Sequence, residues 1–127
     1  MAAQKSNYLR TKFIRHVINV TAFTAPATLY LALYTTDPTI ADVGSEVTGG
    51  SYSRKAISFG TEANGTVASN AIINFTSMPA VTITHWGIRD ASSGGNLLYF
   101  GAFDIPISVA AAATFPIASG DLTISEL

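Results

Sequence analysis

The sequence contains no cysteine, so neither a disulfide framework nor a thiolate metal site is available to it. It has no apolar run of 18 or more residues, and we therefore expect no membrane-spanning segment. The first residues interleave charged and apolar positions, which differs from the apolar centre of a secretory signal. These absences predict a protein that is made in the cytoplasm and binds no membrane.

Charge is scarce as well. Charged residues make up 12% of the 127 positions and hydrophobic residues 48%, whereas soluble domains usually carry about a quarter of charged residues. A weakly charged surface protects a protein poorly from association, so we expect part of it to be buried against partner chains. The alternative is a monomer whose surface is covered by serine, threonine and glycine.

The basic residues are unevenly distributed. Four of the seven precede position 20, where no acidic residue occurs: Lys5, Arg10, Lys12 and Arg15. A basic segment is typical of nucleic-acid binding, but the rest of the chain adds only three cations and is net acidic. We expect no nucleic acid as partner and predict that this segment contacts an acidic patch of a neighbouring subunit.

Hydrophobic periodicity divides the chain into a helix and a series of strands. Residues 6–20 have apolar side chains at helical spacing, with Ser6 or Asn7 as the N-cap. From position 28 the period changes to two, and Gly, Pro and Asn separate about eight short strands. We predict these strands at 28–35, 55–59, 71–75, 81–88, 97–102, 105–109, 114–117 and 122–125.

These elements predict a single mainly β domain over residues 1–127. It comprises an N-terminal helical arm, 1–25, and an antiparallel β-sandwich or jelly roll, 26–127. A parallel sheet is disfavoured, because the connections are too short to supply crossover helices. The long connection at 36–53 is rich in turn formers, and loops of this length are usually functional or ordered by a partner.

Catalytic groups are few. His85 beside Asp90 or Asp104 is conceivable as a nucleophile-activating pair, but there is no G-x-S-x-G turn, and a strand histidine next to tryptophan is more often a packed residue. We therefore expect no enzyme activity and no catalytic residue.

Two binding alternatives also rest on single clusters of residues. Asp37, Asp42 and Glu46 share one loop, but their spacing does not match a calcium loop, and we expect no metal or cofactor. Aromatic rings could form a sugar-stacking platform if they shared an exposed face, although core and interface packing is the more common role. The rings concerned are those of Trp86, Tyr30, Tyr34, Tyr52 and Tyr99.

Four segments resemble a family of small virion proteins of tailed bacteriophages: N-Y-L-R (7–10), T-A-F-T-A-P-A-T-L-Y-L-A-L-Y-T-T-D-P (21–38), V-T-G-G-S-Y-S-R (47–54) and T-H-W-G-I-R-D-A-S-S-G-G-N-L-L-Y-F-G-A (84–102). Members are often labelled tail fibre proteins, and the family is also similar to capsid decoration or cement proteins. The resemblance implies a non-enzymatic virion component, made in the host cytoplasm, with no active site to carry over.

From the resemblance we expect a capsid decoration protein that stabilises the shell through intersubunit contacts. The alternative is a tail fibre, baseplate or spike component involved in host attachment. The expected partners are the protein itself, as a homo-oligomer and specifically a trimer, and the major capsid protein or tail proteins. The predicted interface residues are Leu9, Phe13, Val17, Lys12, Arg15, Tyr52 and Arg54.

Overall fold

A computed structural model describes residues 3–126. Over this part of the chain the backbone forms one helix and nine strands. In chain order these are β1 (Gln4–Lys5), α1 (Asn7–Val17), β2 (Leu29–Tyr34), β3 (Lys55–Ile57), β4 (Thr66–Ala68), β5 (Ile73–Phe75), β6 (Val81–Arg89), β7 (Leu97–Val109), β8 (Phe115–Ile117) and β9 (Thr123–Ser125).

The strands form three antiparallel sheets. The largest has five strands in the order β1-β7-β6-β2-β3, and two smaller sheets pair β4 with β9 and β5 with β8. This confirms the predicted mainly β, antiparallel class with a single helix in residues 3–126.

The hydrophobic core lies on one face of the five-stranded sheet. Leu31 is paired with Ile88 and Leu33 with Trp86, and residues directly opposite in antiparallel strands point to the same face. All four side chains are fully buried. They share one cluster with Phe75 of β5 and with residues of β8 and β9, so the two small sheets cover this face in a sandwich-like arrangement.

The strand predicted at 28–35 is confirmed as β2, and its two faces are both buried. Ala32 and Tyr34 point away from the core face and have exposed fractions of 0% and 1%. The second face is therefore covered too, and there the Tyr34 hydroxyl accepts a hydrogen bond from Arg89.

β7 corrects the prediction of two separate strands at 97–102 and 105–109. It runs continuously over 13 residues along β6, but the pairing shifts: between the pairs Ile83↔Ile107 and His85↔Ala102, β6 advances by two residues while β7 advances by five. The surplus residues form a bulge that contains Pro106, which has no N–H to give to a ladder. Proline therefore interrupts the pairing without ending the strand.

α1 is shorter than the predicted helix. Ser6 is its N-cap, since the Ser6 hydroxyl accepts a hydrogen bond from the Leu9 N–H at 3.2 Å. The helix ends at Val17 because Asn19 adopts a left-handed φ of 64°, and the N–H groups of Asn19 and Val20 donate to the carbonyls of His16 and Arg15. This is the Schellman arrangement. Within residues 3–126, no helix has the length and apolar character to cross a membrane.

The first residues of the predicted arm belong to the body of the domain. β1 pairs with Tyr99 and Phe100 of β7, and the Ser6 N–H and hydroxyl donate to the carbonyls of Leu98 and Leu97. The Lys5 ammonium contacts the Glu126 carboxylate at 2.7 Å, so the two ends of the described chain lie together. The independent part of the arm therefore begins inside α1.

Candidate functional site

Two parts of the structure stand out as candidate sites: a group of ion pairs around two buried arginine side chains and an exposed helix. The first, here called the arginine cluster, consists of Asp42, Glu46, Tyr52, Arg54 and Arg89 together with the 90–96 loop. The second, the exposed helix face, consists of the apolar side chains of the second half of α1 and the residues just after it.

Arg89 is the centre of the arginine cluster. It is the last residue of β6, and its side chain is 10% exposed. Its Nη1 and Nη2 donate to the Oδ1 and Oδ2 of Asp42, each at 2.8 Å, and Nη1 also donates to the Tyr34 hydroxyl at 2.8 Å. This bidentate pair fastens the 36–53 loop over the second face of the sheet, because a guanidinium fork matches a carboxylate in both distance and plane.

Arg54 forms a second pair of the same kind. Its Nε and Nη2 donate to Oε2 and Oε1 of Glu46 at 2.9 and 2.8 Å. The Tyr52 hydroxyl donates to the same Glu46 Oε2 at 2.7 Å and accepts a hydrogen bond from the Leu33 N–H at 3.0 Å. The carboxylate of Glu46 is thus held by three donor groups and tied to β2 through tyrosine.

Both arginines also donate hydrogen bonds to the 90–96 loop. Arg54 Nη1 donates to the carbonyls of Ala91 and Gly94, and Arg89 donates to those of Gly94 and Gly95. Gly94 and Gly95 both have left-handed φ angles, of 63° and 70°, which turn their carbonyls toward the guanidinium groups. Two separate loops, 36–53 and 90–96, therefore meet at two arginines.

The electrostatics follow from burial and pairing. Burial alone would raise the pKa of Glu46, but the hydrogen bonds from Arg54 and Tyr52 outweigh it and lower that pKa below the ordinary carboxyl value. Burial raises the pKa of Tyr52, and its hydrogen bond to Glu46 raises it further, while burial also raises the pKa of Tyr34. The acid is consequently ionised and both phenols are neutral at pH 7.

The three acids considered for a metal are held apart by different partners. Asp42 binds Arg89, Glu46 binds Arg54, and Asp37 accepts a hydrogen bond from the Thr39 N–H at 2.9 Å. Within residues 3–126, no group of three or more His, Asp or Glu side chains converges on one point. The 36–53 loop is thus ordered by ion pairs to arginine within its own chain.

His85 lies at a different place from the arginine cluster. Its Nδ1 is 2.8 Å from the Thr84 hydroxyl and its Nε2 is 3.9 Å from Asp37. Asp104 lines the same shallow depression, whereas Asp90 accepts hydrogen bonds from the backbone and side chain of Asn96. Of the two acids considered beside His85, Asp90 is therefore hydrogen-bonded within the 90–96 loop instead. The expected lack of enzyme activity stays a prediction.

The aromatic side chains do not form one exposed platform. Trp86 and Tyr34 are fully buried, on opposite faces of the sheet, and Tyr52 is stacked on Phe75 with ring centroids 6.0 Å apart. The indole N–H of Trp86 has no hydrogen-bond partner among residues 3–126. The packing role predicted for Trp86 and Tyr52 is confirmed, and with Tyr34 three of the five rings considered for sugar stacking are packed inside the chain.

The exposed helix face is apolar. Five large hydrophobic side chains between positions 13 and 20 are 47–64% exposed: Phe13, Ile14, Val17, Ile18 and Val20. Arg10 and Arg15 are exposed on the same helix, and the Lys12 ammonium lies 5.6 Å from the centroid of the Tyr8 ring. Such a surface resembles the contact face of an amphipathic helix that lacks its partner.

The predicted interface residues therefore divide into two groups. Phe13, Val17 and Arg15 are exposed and remain predicted contacts, as does half-buried Lys12. Leu9 is only 6% exposed, because the start of α1 packs on its own β7, and it has little surface left for a neighbour. Tyr52 and Arg54 are engaged within the arginine cluster, so their first role is to hold loops of their own chain.

The arginine cluster itself was missed by sequence reasoning. Asp42 and Arg89 are 47 positions apart, and Glu46 and Arg54 belong to a loop whose path no periodicity predicts. A signal was present nonetheless. The segments T-T-D-P, V-T-G-G-S-Y-S-R and R-D-A-S-S-G-G-N, which carry the family resemblance, all contribute residues to this region or border on it.

Comparison with known protein families agrees with these landmarks. The family model described as Podophage GP4 fiber I protein gp80 matches residues 4–125. No curated protein matches the chain. Because the match spans nearly the whole sequence, the chain belongs to this family of podophage fibre proteins and is a structural component of a phage virion. The predicted resemblance to a virion structural family is thereby confirmed.

Proposed function

We propose that this member of the Podophage GP4 fiber I protein gp80 family is a component of the tail fibres of a tailed phage. It acts by assembling with other virion subunits and not by catalysis. The observation that carries the proposal is the family match over residues 4–125, whose description names a fibre protein.

The family match favours the alternative over our first expectation. From the sequence we expected a capsid decoration protein, with a tail fibre, baseplate or spike component as the alternative. A fibre family supports a location at the tail, where the protein would be present in fewer copies than a shell protein. Capsid decoration therefore becomes the competing outcome of the experiment below.

The physical basis of assembly is the exposed helix face. Burial of one fully exposed valine, isoleucine or phenylalanine side chain stabilises a complex by about 1.5–3 kcal/mol. Five such side chains, each 47–64% exposed, therefore offer several kcal/mol to a partner that covers them. This gain must exceed the loss of translational and rotational freedom on association, and a helix that is already folded avoids the further cost of ordering the interface.

The arginine cluster supports this role by making the body rigid. A fibre subunit transmits force between its neighbours, and loops that are tied together by ion pairs resist displacement better than free loops. The bidentate pairs Arg89–Asp42 and Arg54–Glu46 fasten the 36–53 loop, and the same arginines hold carbonyls of the 90–96 loop. The cluster is thus a brace within the subunit, and the helix is the element left for contact.

The location can be tested on purified phage particles. Antibodies raised against the isolated protein, coupled to gold, are applied to intact virions and to capsids that lack tails, and both are imaged by electron microscopy. We expect gold at the tail and none on tail-less capsids, with a copy number well below that of the shell subunit. Gold spread over the shell would overturn the proposal in favour of capsid decoration.

A further inference from the structure

A second apolar surface is formed by β7 and β8. It is an open groove of about 480 Å³ where the bulge of β7 meets β8. Its lining consists of Phe103, Asp104, Ile105, Ile107, Phe115, Pro116, Ile117 and Asp121, and this set is here called the β7–β8 groove. Ile105 is 74% exposed, so the groove presents apolar surface to the outside.

The two acids of the β7–β8 groove have no ion-pair partner. Among residues 3–126, Asp104 and Asp121 form no salt bridge, although most other acids of the chain pair with a cation or accept loop hydrogen bonds. Both acids are exposed beside apolar side chains. The groove is therefore apolar inside and negatively charged at its margin.

α1 has the complementary pattern. Its exposed helix face is apolar, and Arg10, Lys12 and Arg15 form no salt bridge within the described part of the chain. The helix, with 11 residues, is about 16 Å long at about 1.5 Å per residue. An apolar stripe with basic neighbours thus faces solvent on the same molecule as an apolar groove with acidic neighbours.

The start of the helix is tied to β7 before the groove of its own chain begins. Ser6 is hydrogen-bonded to Leu97 and Leu98, at the start of β7, while the groove begins at Phe103. Phe103 is five positions beyond Leu98, which is about 17 Å of extended strand at about 3.3 Å per residue. To enter its own groove, the helix would have to give up the cap hydrogen bonds and the burial of Leu9.

We propose that the exposed helix face of one copy docks into the β7–β8 groove of a second copy. Apolar side chains of α1 cover the groove, and Arg10 and Arg15 approach Asp104 and Asp121. The inference rests on the proposed assembly function and names its partner, a second copy of this chain. Since helix and groove are different surfaces, the contact is head-to-tail and closes into a ring when the rotation between copies allows it.

Apolar contact is tested with a matched pair of valines. Val17 lies on the exposed helix face and Val43 in the 36–53 loop, and they are 63% and 70% exposed. The full chain and its Val17→Ser and Val43→Ser variants are compared by sedimentation velocity over a range of concentrations. We expect the wild type and V43S to associate equally and V17S to associate about tenfold more weakly, the effect of one lost buried side chain.

The groove side is tested by charge exchange. The double variants Arg10→Glu with Arg15→Glu, and Asp104→Lys with Asp121→Lys, should each weaken association at least tenfold. The variant that carries all four changes should restore it, because opposite charges again meet across every contact. All four positions are exposed, so thermal unfolding followed by circular dichroism should show each variant to be folded.

Three results would overturn the docking. These are a wild-type chain that stays monomeric at every concentration, equal weakening by V17S and V43S, and a fourfold variant that associates no better than the double variants. The measurement is made on the purified protein in solution, so its outcome is separate from the location of the protein in the virion. Gold on the tail together with a monomeric chain would leave the proposed function and remove only this contact.

Discussion

The arginine cluster and the exposed helix face differ in whether their side chains have partners within the chain. In the cluster, two arginine side chains are buried against two partly exposed carboxylates, and each charge is paired inside the chain. On the helix, five large apolar side chains and nearby cations have no such cover among residues 3–126. The difference separates what holds one subunit together from what remains available to another.

The comparison predicts that one substitution made in both regions will strongly destabilise the chain in the cluster and hardly affect it on the helix. Arg89→Met leaves partly exposed Asp42 and the buried Tyr34 hydroxyl without their donor, and we expect it to lower the free energy of unfolding by about 2–3 kcal/mol. Arg15→Met, on the exposed helix, should change it by less than about 0.5 kcal/mol. Urea unfolding followed by tryptophan fluorescence measures both.

The fluorescence of Trp86 reports on the core, since this side chain is fully buried. If Arg15→Met destabilised the protein as much as Arg89→Met, the helix would contribute to the fold as the cluster does, and the distinction between the two regions would fail. Equal denaturant dependence in the two variants would show that their folded states expose similar surface.

Substitution of two neighbouring glycines tests how tightly the 90–96 loop is held. Gly94 and Gly95 have similar left-handed φ angles, but a Cβ on Gly94 would meet nothing within 4 Å, while a Cβ on Gly95 would lie 2.5 Å from Asp90 Oδ1 and 2.7 Å from Ala91 Cβ. We expect Gly94→Ala to cost about 1 kcal/mol of backbone strain. Gly95→Ala should cost about 2 kcal/mol, because steric overlap is added.

Thermal unfolding of the two variants provides the check, each serving as the control for the other. Equal losses would mean that the loop shifts freely and that the carbonyl contacts to Arg54 and Arg89 contribute little. A larger loss in Gly95→Ala locates the constraint at the packed side of the loop, where Asp90 accepts hydrogen bonds from Asn96.

The smallest expected effect is a loss of stability at acid pH, when Glu46 becomes protonated. The pKa of Glu46 is lowered in the folded chain, so its stabilising contribution is fully present above the ordinary carboxyl value and is lost as the pH falls through the folded pKa. Glu46→Gln should therefore be less stable than the wild type at pH 7, and the difference should shrink towards pH 3. It changes by less than about 1.4 kcal/mol per pH unit.

Chemical unfolding at several pH values measures this difference. A gap between wild type and Glu46→Gln that is the same at pH 7 and pH 3 would show that the carboxylate charge is irrelevant to the pair. In that case the hydrogen bonds of Tyr52 and Arg54 would act through their geometry alone.

Much of the fold was predictable because its periodicities are strong. The strand at 28–35 alternates cleanly and is observed as β2, and the helical spacing from position 6 is observed as α1. The strand at 81–88 is observed as β6, but its alternation changes phase where the pairing with β7 shifts, so Ile83 and Trp86 both reach the core. Periodicity alone contains no information on such a shift.

Other features of the fold have no local sequence pattern that predicts them. β1 is two residues long and exists only because β7 offers it an edge. The ion pairs of the arginine cluster depend on the path of loops whose residues are up to 47 positions apart, which tertiary structure decides. On the helix, by contrast, sequence patterning named three exposed residues, Phe13, Val17 and Arg15, since an amphipathic stripe is a local property.

The contact between Lys5 and Glu126 has a practical consequence. The Tyr99 hydroxyl also donates to Glu126, at 2.8 Å, so the first and last strands leave the domain from one corner. A short linker could span that corner and yield a circular permutant, opened for instance at the Asn64–Gly65 hairpin. Because Lys5 and Glu126 are in contact, the domain could also be inserted into a surface loop of another protein without forcing the two ends of that loop apart.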